Sequence, residues 1–281
     1  MRLTEEAAAY LSVKETEGYS PYTIRAYRLQ IHLLARDIGD IEAGDVTLQM
    51  LRGHMAKHTH LKPASIGHKV RAFRSFFRWL AEEERIAKNP TLRLREPKLP
   101  PRIPKALTLD EVETLRDACS SPFEHALVEF FFASGCRIGE VHRIDRRVID
   151  TDRRAVMVLG KGGKEREVYY GARCAIWLRR YLATRHDDDA ALFVTERNPH
   201  RRVSIHQVQY VFKRIAKRCG LEARVTPHVL RHTYGTFLLN QGAPLAAVQT
   251  LMGHSKPTTT QLYAQLSGTE RQRAYERYFV Q

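Results

Sequence analysis

The stretch TPHVLRHTYGTFLL, Thr226 to Leu239, places an imidazole and a guanidinium three residues apart. Thr226 can cap a helix and Pro227 suits its first turn, so His228 and Arg231 share one face near a helix N-terminus. Such an end attracts anions, and a phosphate held there would meet a proton-transfer group and a planar cation together. His232, next to them, reads as structural. Three further stretches could add chemistry. In ASGCRIGEV, Arg137 follows a helix-ending glycine, and Glu140 one turn on could hold its guanidinium as an ordinary ion pair. In GKGGKER, Lys161 is glycine-flanked at a hairpin tip, mobile enough to be aimed at a ligand or simply to sit in a turn. Lys164 precedes glutamate rather than Ser or Thr, so no P-loop is present. In LMGHSKPTTTQLYAQL, Gly253 stops a helix, His254 follows, and Tyr263 lies beyond a Thr-rich turn, where a tyrosine serves as core or as nucleophile.

The order Arg, Lys, His-x-x-Arg, Gly-His and Tyr in a basic chain resembles the tyrosine recombinases, the phage integrase or Xer-type site-specific recombinases. The resemblance spans the whole C-terminal half, with Cys136 and Gly139 standing where Leu and Ser are common, and Ala264-Gln265 following the tyrosine. It implies a catalytic set of Arg137, Lys161, His228, Arg231, His254 and Tyr263, with Tyr263 as nucleophile. It implies strand cleavage and rejoining through a 3′-phosphotyrosyl link, with no metal, ATP or other cofactor. Arg137 and Arg231 would clamp the non-bridging oxygens, His228 would exchange protons with the tyrosine, Lys161 would protonate the 5′-oxygen, and His254 would donate a hydrogen bond to the phosphate. The implied partner is double-stranded DNA, bound by a tetramer of protomers on two sites, with the tail 269–281 docking on a neighbour or packing on its own domain. The biological role is either chromosome dimer resolution or mobile-element integration and excision, and the length matches the compact Xer-like form without an arm-binding domain. A type IB topoisomerase-like strand transferase shares much of this residue set. A non-enzymatic DNA-binding regulator is the reading from a different class.

These residues need elements to position them. The 281 residues are 43% hydrophobic, enough for two cores, and carry a formal net charge of +15, which favours an anionic partner. No run of about 18 apolar residues is present, so no spanning helix is expected. The acidic opening MRLTEEAAAYLSVKETEGYS lacks the apolar segment of a signal peptide. Four scattered cysteines without a CxxC motif indicate a reduced, cytoplasmic protein, and the resemblance adds association with the nucleoid. The proline-rich stretch 89–106 reads as a basic linker between a helical domain, 1–88, and a second domain, 107–281. The expected fold class is mainly α with a small antiparallel β-sheet. By the resemblance it comprises a SAM-like core-binding bundle and a mixed α/β catalytic domain with a C-terminal tail helix.

In the first domain, Ser20 and Pro21 open a helix with Ile24, Tyr27, Ile31, Leu34 and Ile38 at helical spacing, closed by Gly39. A second helix carries Ile66, Val70, Phe73, Phe77 and Leu80, and its other face is assigned Lys69, Arg71, Arg74 and Arg78. That face is either solvated or a phosphate-tracking surface for DNA. His54, His58 and His60 resemble zinc spacing, but no cysteine or acid lies close by in the sequence, and no metal site is assigned. In the second domain, Thr108 and Glu111 form a capping box, AVMVLGKGGKEREVYY reads as a hairpin, and LFVT from Leu192 as a short third strand. Helices are expected over Ser204 to Gly220, Thr226 to Gly242 and Pro244 to Gly253.

Overall fold

The computed structural model describes residues 1–99, 106–160, 163, 165–222 and 224–253. The chain divides into two compact units, Met1–Pro101 and Arg102–Gln281. Lys161, His254, Tyr263 and the tail 269–281 lie outside the described residues.

The first unit is built from α1 (Leu3–Thr16), α2 (Pro21–Ile38), α3 (Leu48–Ala56) and α4 (Pro63–Glu82). Local chemistry starts two of them as the residue types require. The Ser20 hydroxyl accepts from the Thr23 N–H at 3.2 Å, and Thr47 accepts from Met50 at 3.2 Å, satisfying amides that a helix start leaves unpaired. The apolar stripes converge on Tyr10, Ile31, Leu34, Leu51, Phe73, Phe76, Phe77 and Leu80, all fully buried. Arg85 closes the unit by donating to the buried Glu6 at 2.8 Å.

The second unit begins with α5 (Leu109–Asp117), α6 (Pro122–Ser134) and α7 (Ile138–Arg143). A three-stranded antiparallel sheet follows in the order β1 (Ile149–Asp150), β2 (Ala155–Leu159) and β3 (Glu165–Tyr169). Helices α8 (Ala172–Ala183), α9 (Ile205–Arg218), α10 (Pro227–Asn240) and α11 (Leu245–Met252) complete the described part. The expected hairpin is present, with Val156 opposite Val168 and Val158 opposite Arg166. The third strand is not LFVT but Ile149–Asp150, just before the hairpin. The backbone of Leu192–Thr195 is shared among separate partners: Leu192 donates to Ile144 O, Val194 to the Tyr181 hydroxyl and Thr195 to Arg201 O. That sharing leaves only isolated bridges there.

Helix α6 runs through the middle of this core, with Ala126, Leu127, Phe130 and Phe131 fully buried. Its buried carboxylates are all paired outward. Glu124 accepts from Arg214 at 2.7 Å and from Arg218 on α9, and Glu129 accepts from Arg116 on α5 at 2.6 Å. Burial of a carboxylate is tolerated only with such partners. The helix ends at Gly135, whose φ of 59° is the left-handed cap conformation. A Cβ on Gly135 would collide with the ring of Tyr234 on α10. Gly135→Ala is therefore expected to destabilise the protein by about 2 kcal/mol or more, from left-handed strain plus overpacking, read as a lower denaturation midpoint.

Candidate active site

The site is assembled where α6 hands over to α7. Arg137 is the residue before α7, and Glu140 sits in that helix's first turn. The Arg137 backbone N–H donates to Glu140 Oε2 at 2.7 Å, and its guanidinium donates to Oε1 at 2.8 Å. The same carboxylate receives a second guanidinium from β3. Arg166 donates to Oε1 and to Oε2, each at 2.8 Å, as a two-pronged fork. Glu140 is only 4% exposed. Burial alone would raise its pKa, but the hydrogen bonds from Arg166 and from the Arg137 backbone outweigh it and hold the carboxyl at about 2. Glu140 is thus ionised throughout the neutral range.

A second feature ties the cations together. The C-terminal carbonyls of α11 accept from three arginines on three different elements. Arg166 Nε donates to Leu251 O at 3.2 Å, Arg231 to Met252 O, and Arg137 to Gly253 O at 2.9 Å. Arg231 also donates to Gly135 O at 2.6 Å, so it spans the ends of α6 and α11 and is almost wholly buried. Helix C-termini carry partial negative charge, which suits guanidinium groups placed there. Gly253 has φ 61°, and a Cβ there would lie 2.9 Å from Arg166 Cδ, so the arginine crosses the chain where only glycine leaves room.

Thr226 caps α10 by accepting from the Val229 N–H at 3.1 Å, and His228 stands exposed in the first turn. Its Nε2 lies 2.9 Å from Nε2 of His232 one turn on. Desolvation of the ring, then the charges of Arg231 and Arg137, lower the pKa of His228. His232 is desolvated further and also feels His228 and Arg231, which brings it to about 4. His232 is therefore neutral at pH 7 and buttresses His228. A groove lined by Ile138, Gln209, Lys213, Val225, Thr226 and His228 opens beside the ring.

Of the six residues expected to act together, the structure brings Arg137, His228 and Arg231 into one electrostatic neighbourhood. Lys161, His254 and Tyr263 are not described. Two features were missed in the sequence. Arg166 carries a strand signal, since it alternates with Val168 and so shares the inward face of the sheet. Helix α9 buries Val208, Val211, Phe212 and Ile215, while Tyr210, Lys213 and Lys217 are exposed. That amphipathic split is legible at helical spacing.

In the first unit, the basic face is redrawn. Lys69 does not stand on it. It is 5% exposed, lies on the same stripe as Phe73 and Phe76, and donates to Gln30 Oε1 at 2.9 Å. The spacing explains this, because Lys69 precedes Phe73 by one helical turn. Arg71 and Arg74 are drawn to Glu96, and Arg74 also to Leu94 O, while Arg78 is exposed. His54 is buried, with Nδ1 2.9 Å from Asp37. Among the described residues, no group of three or more His, Cys, Asp or Glu side chains could hold a metal ion. No described helix is long and apolar enough to cross a membrane.

Comparison with known proteins decides the kinship. Residues 105–270 match the model of the phage integrase family. The chain belongs to the phage integrase family of tyrosine recombinases. This integrase-family chain is 32% identical to the tyrosine recombinase XerC of Proteus mirabilis, over 95% of its own length and 91% of the relative. It is 34% identical to the tyrosine recombinase XerD of Ralstonia nicotianae, over 89% and 86%. Among solved structures, the Tn1549 transposon integrase in complex with circular intermediate DNA matches with a TM-score of 0.78 at 20% identity. That match covers 99% of this chain and 100% of the other, and it shows the shared fold.

The histidines generate a pH prediction. His54, His58, His125, His228 and His232 all have lowered pKa values in the fold. Below about 6.5, the ordinary histidine value, the unfolded chain binds more protons than the folded one. Stability is fully present above that pH and is lost as pH falls toward the folded values. Calorimetry is expected to show the melting temperature dropping between pH 7 and pH 5, with a shallower slope in His232→Gln.

Proposed function

We propose that this tyrosine recombinase is a Xer-like site-specific DNA recombinase acting on double-stranded DNA, with Arg137, Lys161, His228, Arg231, His254 and Tyr263 as its catalytic set. One observation carries the assignment of the site. Arg137 and Arg231 hang on the neighbouring carbonyls of Gly253 and Met252, at the head of the segment that runs to Tyr263. A peptide bond separates Gly253 from His254. Tyr263 lies ten positions beyond it, a span of up to roughly 33 Å of chain, ample to bring the hydroxyl to the same phosphate.

The chemistry follows from the residue types. A tyrosine hydroxyl has an ordinary pKa near 10, so at neutral pH its attack needs a proton acceptor. His228, kept neutral by its lowered pKa, accepts that proton as the phenolic oxygen attacks phosphorus. The 3′-phosphotyrosyl bond forms as the bond to the 5′-oxygen breaks, and Lys161 gives that oxygen its proton. Arg137 and Arg231 neutralise the non-bridging oxygens, and His254 adds a hydrogen bond. A 5′-hydroxyl from a second strand then attacks the phosphotyrosyl bond and releases Tyr263, so strands exchange without loss of the bond energy. The likeness to the tyrosine recombinase XerD and to the Tn1549 integrase bound to circular intermediate DNA supports this substrate class. Assembly would be a tetramer on two sites, with the tail 269–281 docking on a neighbouring protomer.

DNA contacts are assigned first to the exposed cations Arg78 and Arg71 of the first unit, then to the half-buried Arg74, with Lys69 excluded by its burial. In the second unit the outward face of α9, with Lys213 bordering the groove at His228, is assigned a DNA contact of its own.

Sheared genomic DNA from the source organism, captured on the protein under denaturing conditions, is expected to yield a covalent adduct at a discrete sequence. Tyr263→Phe should keep duplex affinity within about threefold and lose the adduct, and an adduct that persists in this variant would remove Tyr263 as nucleophile. Arg78→Ala is expected to weaken duplex binding and to flatten its salt dependence by about one phosphate contact. Lys69→Met should leave both unchanged, as read by fluorescence anisotropy across a salt series.

A further inference from the structure

Arg166 is the cation that the mechanism above leaves unused. It reaches the site from the hairpin strand β3, which follows Lys161 in the sequence. Its fork takes both oxygens of Glu140, and its Nε takes the first of the three α11 carbonyls. Arg137, by contrast, has a single side-chain bond to that carboxylate, through Oε1. The two guanidinium groups therefore compete for one buried anion, and the geometry favours Arg166.

We infer that Arg166 is a positioning residue for the phosphate clamp: by occupying both Glu140 oxygens it keeps Arg137 from closing a fork of its own and leaves that guanidinium to an incoming phosphate. The inference rests on Arg137 being a phosphate ligand. Were the carboxylate free, Arg137 would form the bidentate pair with it, the strongest arrangement available to both groups. Its charge would then be spent inside the protein. Lysine cannot replace Arg166, because one ammonium is a point charge that cannot cover two oxygens and a carbonyl together.

The test uses the full chain and inorganic phosphate, followed by NMR of the Arg137 Nε–Hε signal, which is assigned by its loss in Arg137→Lys. Arg166→Lys keeps the charge and removes the fork. It is expected to weaken phosphate binding at least fivefold while the melting temperature moves by only a few degrees. In a Glu140→Gln background the same substitution should cost less than twofold, because the contest for the anion is gone. A second measurement needs no Glu140 variant. Rotation of the Arg137 guanidinium should slow in Arg166→Lys as both Glu140 oxygens engage it. The inference is overturned by unchanged phosphate affinity in Arg166→Lys, or by an equal loss in both backgrounds. It is equally overturned by unaltered Arg137 rotation, by a wild-type chain that takes up no phosphate at Arg137, or by a chain that fails to fold as Arg166→Lys. Phosphate titration involves no strand cleavage, so its failure is separable from failure of the covalent-capture experiment.

Discussion

Three arginines on the C-terminal carbonyls of α11 are the interaction on which the second unit depends. Arg137 comes from the start of α7, Arg166 from a strand, and Arg231 from the N-terminal part of α10, so elements far apart in sequence meet at one helix end. The guanidinium groups of Arg166 and Arg231, taken out of water, need acceptors, and each orphan carbonyl needs a donor, so the arrangement satisfies both requirements at once. Glu140 accepts from Arg137 and Arg166, while Arg231 donates to the carbonyls of Gly135 and Met252. The two left-handed glycines, Gly135 and Gly253, are part of the same arrangement, since each lets a side chain from another element lie directly on the backbone.

Much of the fold was legible because it rests on local rules. Ser20, Thr47, Thr108, Ser204 and Thr226 each accept a backbone N–H at a helix start, and helical periodicity marks the faces that are buried. The hairpin was readable from its β-branched strand and glycine-rich turn. The third strand was not, because two residues give no alternation to read, whereas Leu192–Thr195 has strand-like composition without a continuous partner. Lys69 shows the limit of reasoning from charge: its stem follows the aromatic stripe of α4, and position on the helix overrides residue type.

The site was legible in part for the same reason. The His228 and Arg231 pair announces itself by spacing, and Arg137 by the glycine before it. Arg166 needed two observations joined, its inward register on β3 and an acid on another element for it to meet. Carbonyl acceptors leave no trace in residue type at all. Arg231 is therefore recognisable as a cation of interest, but its seat between the ends of α6 and α11 is knowable only from coordinates.

The amide of Leu107 donates to the hydroxyl of Thr233 at 2.9 Å, buried and two residues beyond Arg231. The polypeptide thus joins the second unit by fastening to the middle of the helix that presents His228. Leu107 and Thr233 are both buried, so the contact ties the chain to the interior face of that helix rather than to the unit's periphery.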